Sequence, residues 1–228
     1  MNYDFDVIAR SWEYLFREGM SFTLTLTALS MIGGVVLGTA LALMRLSPIK
    51  PLSAFAGGYV NLMRSLPLVL VIFWFFFLVP WLGAWILGSK EPIKVGAFAS
   101  ALITFTLFEA AFFCEIMRAG IQSIPSGQIS AAYAIGLNYR QAMSFVVLPQ
   151  AFRNMLPVLM TQSIILFQDT SLVYVISSTD FLGAASKVAN RDSRLLEMYT
   201  FAALVYFVIC SLASWGVRRL QARTAIIR

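Results

Sequence analysis

The chain has 228 residues, 59% of them hydrophobic and 12% charged, with a net charge of +6 and no histidine. A soluble domain of this size carries roughly 25% charged residues. So low a charge fraction suits a lipid environment and excludes a nucleic-acid module, whose Lys and Arg would gather on a soluble face.

Residues 1–20 are acidic and amphipathic, and are predicted as an N-terminal interfacial segment rather than a cleavable signal. A membrane span needs roughly 20 apolar residues. Five stretches qualify, at 21–44, 59–80, 95–117, 155–177 and 197–217. In the first, Gly34 and Gly38 form a face of small residues that lets another helix approach closely. Gly33 to Gly38, followed by Thr39, has phosphate-loop spacing but no lysine, and it lies in a span, so that reading is rejected. Pro67 and Pro157 lie in or near spans, where they would kink helices and free carbonyls. Cys114 and Cys210 fall in apolar runs, which indicates neither a disulfide framework nor a metal site.

The loops flanking these spans differ in charge. The 45–55 loop, the 118–153 loop and the tail 218–228 carry nine basic residues and no acid, whereas the opposite side carries seven basic and eight acidic residues. Positive loops stay inside, so the expectation is an all-α protein of five spans with the N-terminus outside and the C-terminus cytoplasmic.

The loop 118–153 reads as an ordered projection. Pro125-Ser126-Gly127 is a turn, Gln128–Ile135 is helix-compatible, and Gly136 is placed to end that helix in a left-handed cap. Asn138 followed by Gln141 resembles a capping box for a second short helix, which Pro149 is expected to stop.

Four charges remain within predicted spans: Arg64, Glu109, Glu115 and Asp169. Each needs an interior partner, because a charge at a helix centre costs roughly 2.5–3.5 kcal/mol on insertion scales. Glu115 pairs either locally with Arg118, three residues on, or with Arg64 as a clamp or inner gate. Gln162 and Asp169, seven residues apart and joined by Gln168, form either a polar stripe along a substrate path or an interhelical hydrogen bond. Glu109 sits among Phe105, Phe108 and Phe112 and is either part of such a path or a protonated structural group.

Ser130-Ala131-Ala132, three residues, Gly136, nine residues and Val146-Val147-Leu148-Pro149 resemble the Glu-Ala-Ala loop of ATP-binding-cassette (ABC) import permeases. Ser130 stands where that pattern has Glu, and Val146 where it has Ile. Thr23–Thr27 with Gly38–Arg45, Tyr59–Leu68 and Glu115–Ile124 resemble polar amino-acid permeases. Phe108–Ala111, Leu148–Arg153 and Phe167–Val175 are similar to permeases of glutamate/aspartate importers.

The resemblance implies the type I importer permease fold in a bacterial inner membrane. Ser130, Ala131, Ala132, Gly136, Val146, Leu148 and Pro149 would then couple to a cytoplasmic ABC ATPase dimer. It further implies a second permease subunit, identical or paralogous, an extracytoplasmic amino-acid-binding protein and contact with membrane lipid. ATP and Mg would bind the ATPase, and this chain would hold no cofactor and catalyse no reaction. The substrate implied is glutamate or aspartate, with glutamine, arginine or histidine as alternatives. An ion-coupled secondary transporter fits less well, because no inverted repeat is visible.

Overall fold

The computed structural model describes residues 3–224, and among them every regular element is helical. Helix α1 (Asp6–Tyr14) runs through a π-turn at Leu15–Met20 into α2 (Ser21–Arg45). This makes one helix of 40 residues, so the segment predicted as interfacial is the first turns of the first span. At 1.5 Å per residue it is about 60 Å long, roughly twice the hydrocarbon thickness, and α1 therefore projects beyond it.

After α2 the chain turns into α3 (Lys50–Ser65) and breaks at Leu66 and Pro67, both in extended conformation. The second span then begins at α4 (Leu68–Phe73) and continues through a π-turn at Trp74–Leu78 into α5 (Val79–Ile86). The predicted span 59–80 is thus corrected to Leu68–Ile86. Proline disfavours a helical residue before it, so Leu66 turns away from the α region. Arg64 consequently lies on α3, outside the span.

The central element is α6 (Ala97–Gln122), whose buried face includes Phe105, Phe108, Ala110, Ala111 and Phe113. It packs closely on α2 where Gly34 and Gly38 present no side chain. A Cβ at Gly34 would lie 3.1 Å from Glu109 Cβ, and one at Gly38 would lie 2.8 Å from Phe113 Cβ. The small-residue face read from the sequence is therefore the contact surface.

Helices α7 (Ser126–Ala134) and α8 (Tyr139–Ala142) build the projection. Gly136 takes φ +85, and the amides of Gly136 and Leu137 donate to the carbonyls of Tyr133 (2.9 Å) and Ala132 (3.1 Å), a Schellman end. Asn138 and Gln141 exchange both capping-box hydrogen bonds, at 2.9 and 3.0 Å.

Pro149 does not stop α8. A π-turn at Met143–Val147 leads on into α9 (Leu148–Asp169), with Pro149 in its first turn. Proline conflicts with the carbonyl four residues earlier, here Phe145, and that residue sits in the widened turn. The same arrangement recurs at Pro80, four residues after Phe76 in the Trp74–Leu78 turn.

Past α9 a 3₁₀ segment (Thr170–Ile176) leads to α10 (Phe181–Arg191). Asp180 caps α10, accepting from the amides of Leu182 (3.0 Å) and Gly183 (3.2 Å). The apolar side of α10 (Phe181, Ala184, Ala185, Val188) joins Val7, Leu15, Met198 and Ala202 in one buried cluster. That cluster ties α1 to the start of α11 (Leu195–Thr224). Ion pairs surround it: Arg10 with Asp192 at 3.6 Å and Arg194 with Asp4 at 3.5 Å. Among the described residues, five segments are long and apolar enough to cross a membrane. Of the predicted basic tail, residues 225–228 lie outside the described residues.

Candidate functional site

Among the described residues, three places gather most of the candidate residues. The first is the α7 projection. Ala132 and Ala142 are buried, and Val147 packs with Ile124 and Ala151, which anchors the projection to the ends of α6 and α9. Ser130, Ala131, Gly136, Leu148 and Pro149 are exposed and Val146 is half-buried. Tyr133, Ile135, Tyr139 and Phe145 also point outward, with Ile135 78% exposed. These four were not singled out from the sequence, although an ordered apolar tip on a charged face is the signal of a docking surface.

The second place is an ion cluster at the root of that projection. Both expected pairings of Glu115 exist together, and a third joins them. Arg118 donates to both carboxylate oxygens, at 3.2 and 2.7 Å. Arg64 lies 3.7 Å from Oε2. Arg45, at the end of α2, donates to Oε1. Sequence reasoning missed Arg45, because it falls at a span boundary and reads as a flanking charge. Three guanidiniums against one carboxylate leave two positive charges uncompensated. A cavity of about 400 Å³ opens beside the cluster, lined by Arg64, Glu115, Gly120, Ser123, Asn154 and Met155 among others.

The third place lies deeper. Glu109 on α6 is fully buried, and Gln162 on α9 donates to its Oε2 at 3.0 Å. Its Oε1 has no hydrogen-bond partner. The aromatic surroundings foreseen for Glu109 hold in part, since Phe105 and Phe108 lie in an adjoining buried cluster and Phe112 packs against that cluster. For Gln162 this is an interhelical hydrogen bond between α9 and α6, one of the two arrangements expected of it. Asp169, the last residue of α9, is half-buried. Gln168 is exposed and lines a different groove with Tyr206, Ser211, Ser214 and Arg218. The three residues of the anticipated stripe are therefore divided between two surfaces.

Outside the spans, burial pushes the Asp180 carboxyl up to about 7, against the pull of its two capping amides. The Arg191 guanidinium, bonded to Asp192 at 2.8 and 3.0 Å, holds that carboxyl below the usual range.

Residues 34–226 match the family described as binding-protein-dependent transport system inner membrane component. The chain is 48% identical over 225 residues to the glutamate/aspartate import permease protein GltK of Escherichia coli O6:H1, covering 98% of this chain and 99% of that protein. It is 33% identical over 209 residues to the probable glutamine ABC transporter permease protein GlnM of Bacillus subtilis, covering 92% and 93% of the two chains. The crystal structure of an amino acid ABC transporter with histidines superposes with a TM-score of 0.88 at 29% identity, covering 98% of this chain and 100% of that one. This chain belongs to the binding-protein-dependent transport system inner membrane component family.

Proposed function

We propose that this chain is the membrane-spanning permease subunit of an ATP-driven importer of glutamate and aspartate. The observation that carries the reading is its 48% identity, over nearly the whole length of both chains, to a glutamate/aspartate import permease. The chain's own glycine run lies inside α2 and lacks a phosphate-binding lysine, so ATP and Mg belong to a partner ATPase dimer.

The α7 projection is the coupling element of this reading. Helix-in-groove docking needs a short helix with exposed apolar anchors and a fixed base. Tyr133, Ile135, Tyr139 and Phe145 supply the anchors. The Schellman end at Gly136 and the Asn138–Gln141 box supply the rigidity. Ser130, Ala131, Ala132, Val146, Leu148 and Pro149 belong to the same surface and its buried footing. Motion of the ATPase then reaches α6 and α9 through the Ile124–Val147–Ala151 contact. A second permease subunit completes the path, and a binding protein outside delivers the substrate.

The test is uptake of labelled glutamate, aspartate, glutamine, arginine and histidine into vesicles holding the full complex with its binding protein. Glutamate and aspartate are expected to enter and to compete with each other. A preference for glutamine, consistent with the 33% relative, would replace this reading with that of a glutamine permease.

A further inference from the structure

The end of the bundle that bears α7 has an unusual charge balance. Glu115 is its one acid among the described residues, and Arg45 and Arg118 already satisfy it by hydrogen bonds. Arg64 approaches the same carboxylate at 3.7 Å, beyond hydrogen-bond range. Its guanidinium lies 5.5 Å from the Phe112 ring centroid, and its side chain is 44% exposed. Most of its five donors are therefore unused.

Arg64 and Asn154 both line the 400 Å³ cavity. Asn154 Nδ2 donates to Ser123 Oγ at 2.9 Å, and Ser123 Oγ donates to the Gly120 carbonyl at 2.8 Å. That chain of bonds orients the Asn154 amide and leaves its Oδ1 as an acceptor. Met155 and Val158 add apolar lining to the same cavity. The cavity thus presents a cationic fork, a neutral acceptor and apolar lining beside the paired Glu115 carboxylate.

We propose that this cavity is a carboxylate subsite for the acidic amino acid, resting on the reading of the chain as a glutamate/aspartate permease. Arg64 takes the side-chain carboxylate through its planar fork, and Asn154 Oδ1 accepts from the ammonium group. Glu115 is a positioning residue: Arg45 and Arg118 neutralise it, and it fixes Arg64 without repelling the anion. The two uncompensated positive charges at the α7 end favour an anionic side chain there.

The test is equilibrium binding of labelled glutamate and glutamine to the purified permease–ATPase complex in phosphatidylcholine nanodiscs, without the binding protein. Arg64→Gln is expected to weaken glutamate binding about tenfold or more, the loss of a charge-assisted hydrogen bond, and to leave glutamine nearly unchanged. Arg64→Lys should fall between wild type and Arg64→Gln, and Asn154→Leu should weaken both ligands. Arg45 and Arg118 still hold Glu115 in these variants, so their elution profiles and thermal midpoints should match the wild type.

An unchanged glutamate-to-glutamine ratio in Arg64→Gln overturns the subsite. Displacement of glutamate by an equal concentration of inorganic phosphate overturns it too, leaving a general anion site. If wild-type vesicles import glutamate and either result appears, the subsite alone has failed. Import of glutamine in place of glutamate instead removes the functional reading on which it rests.

Discussion

At Gly38 the absence of a side chain is what permits the contact. A Cβ there would stand 2.8 Å from Phe113 Cβ and 3.0 Å from the Ala110 carbonyl, and neither can move without shifting α6. Gly38→Val is expected to destabilise the protein by about 1–3 kcal/mol through overpacking, lowering the thermal midpoint of the detergent-solubilised protein. Gly58 is the control: nothing lies within 4 Å of its Cβ position, in the middle of α3. Gly58→Ala is expected to gain about 0.5–1 kcal/mol from reduced chain entropy. Equal effects of the two changes would show that the close approach of α2 and α6 is not what limits stability. Gly38 was legible in the sequence because helical spacing alone places it beside Gly34. Its partner Phe113 was not, because no local rule connects residues 38 and 113.

Among the elements, α10 is the one that depends most on a single titrating group. Asp180 is fully buried at its N-terminus, and the Phe181 amide donates to Thr23 Oγ1 at 3.0 Å, fastening the helix start to α2. The Asp180 carboxyl is raised from 3.8 to about 7 by burial. Between those values the folded protein keeps a proton that the unfolded chain has released, so stability falls as pH rises through that window and levels off above it. The wild-type thermal midpoint is therefore expected to drop from about pH 5 to about pH 8. Asp180→Asn keeps a capping acceptor and cannot ionise, so its midpoint should lack that drop. A decline of the same size in the variant would assign the pH dependence elsewhere. The α7–α8 projection contrasts with α10. Gly136 and the Asn138–Gln141 box are short-range devices, and the sequence displayed both, whereas α10 exists because Phe181, Ala184, Ala185 and Val188 meet α1 and α11.

For the whole molecule, the distribution of Lys and Arg predicts one orientation, with α7 in the cytoplasm and α10 outside. Cysteine labelling checks it. With Cys114 and Cys210, both buried, replaced by alanine, single cysteines go at the exposed positions Ser130 and Asn190. A membrane-impermeant maleimide applied to right-side-out vesicles is expected to react at Asn190→Cys and not at Ser130→Cys, and the reverse in inside-out vesicles. The opposite pattern would invert the molecule and place the projection away from any cytoplasmic ATPase.

The sequence by itself determined that five segments cross a membrane, that α2 offers a close-packing face and that an ordered turn-helix unit follows α6. Those features are set by composition, by helical period and by caps a few residues long. Tertiary structure decided the rest. Arg45 meets Glu115 across 70 residues of chain, and Gln162 meets Glu109 across 53. Arg64 left the membrane span because the chain breaks at Leu66–Pro67, and Pro149 failed to end a helix because a π-turn absorbed it. Buried charges and interior prolines are satisfied by whatever the fold brings to them, and their partners come from other helices, beyond the reach of local pattern.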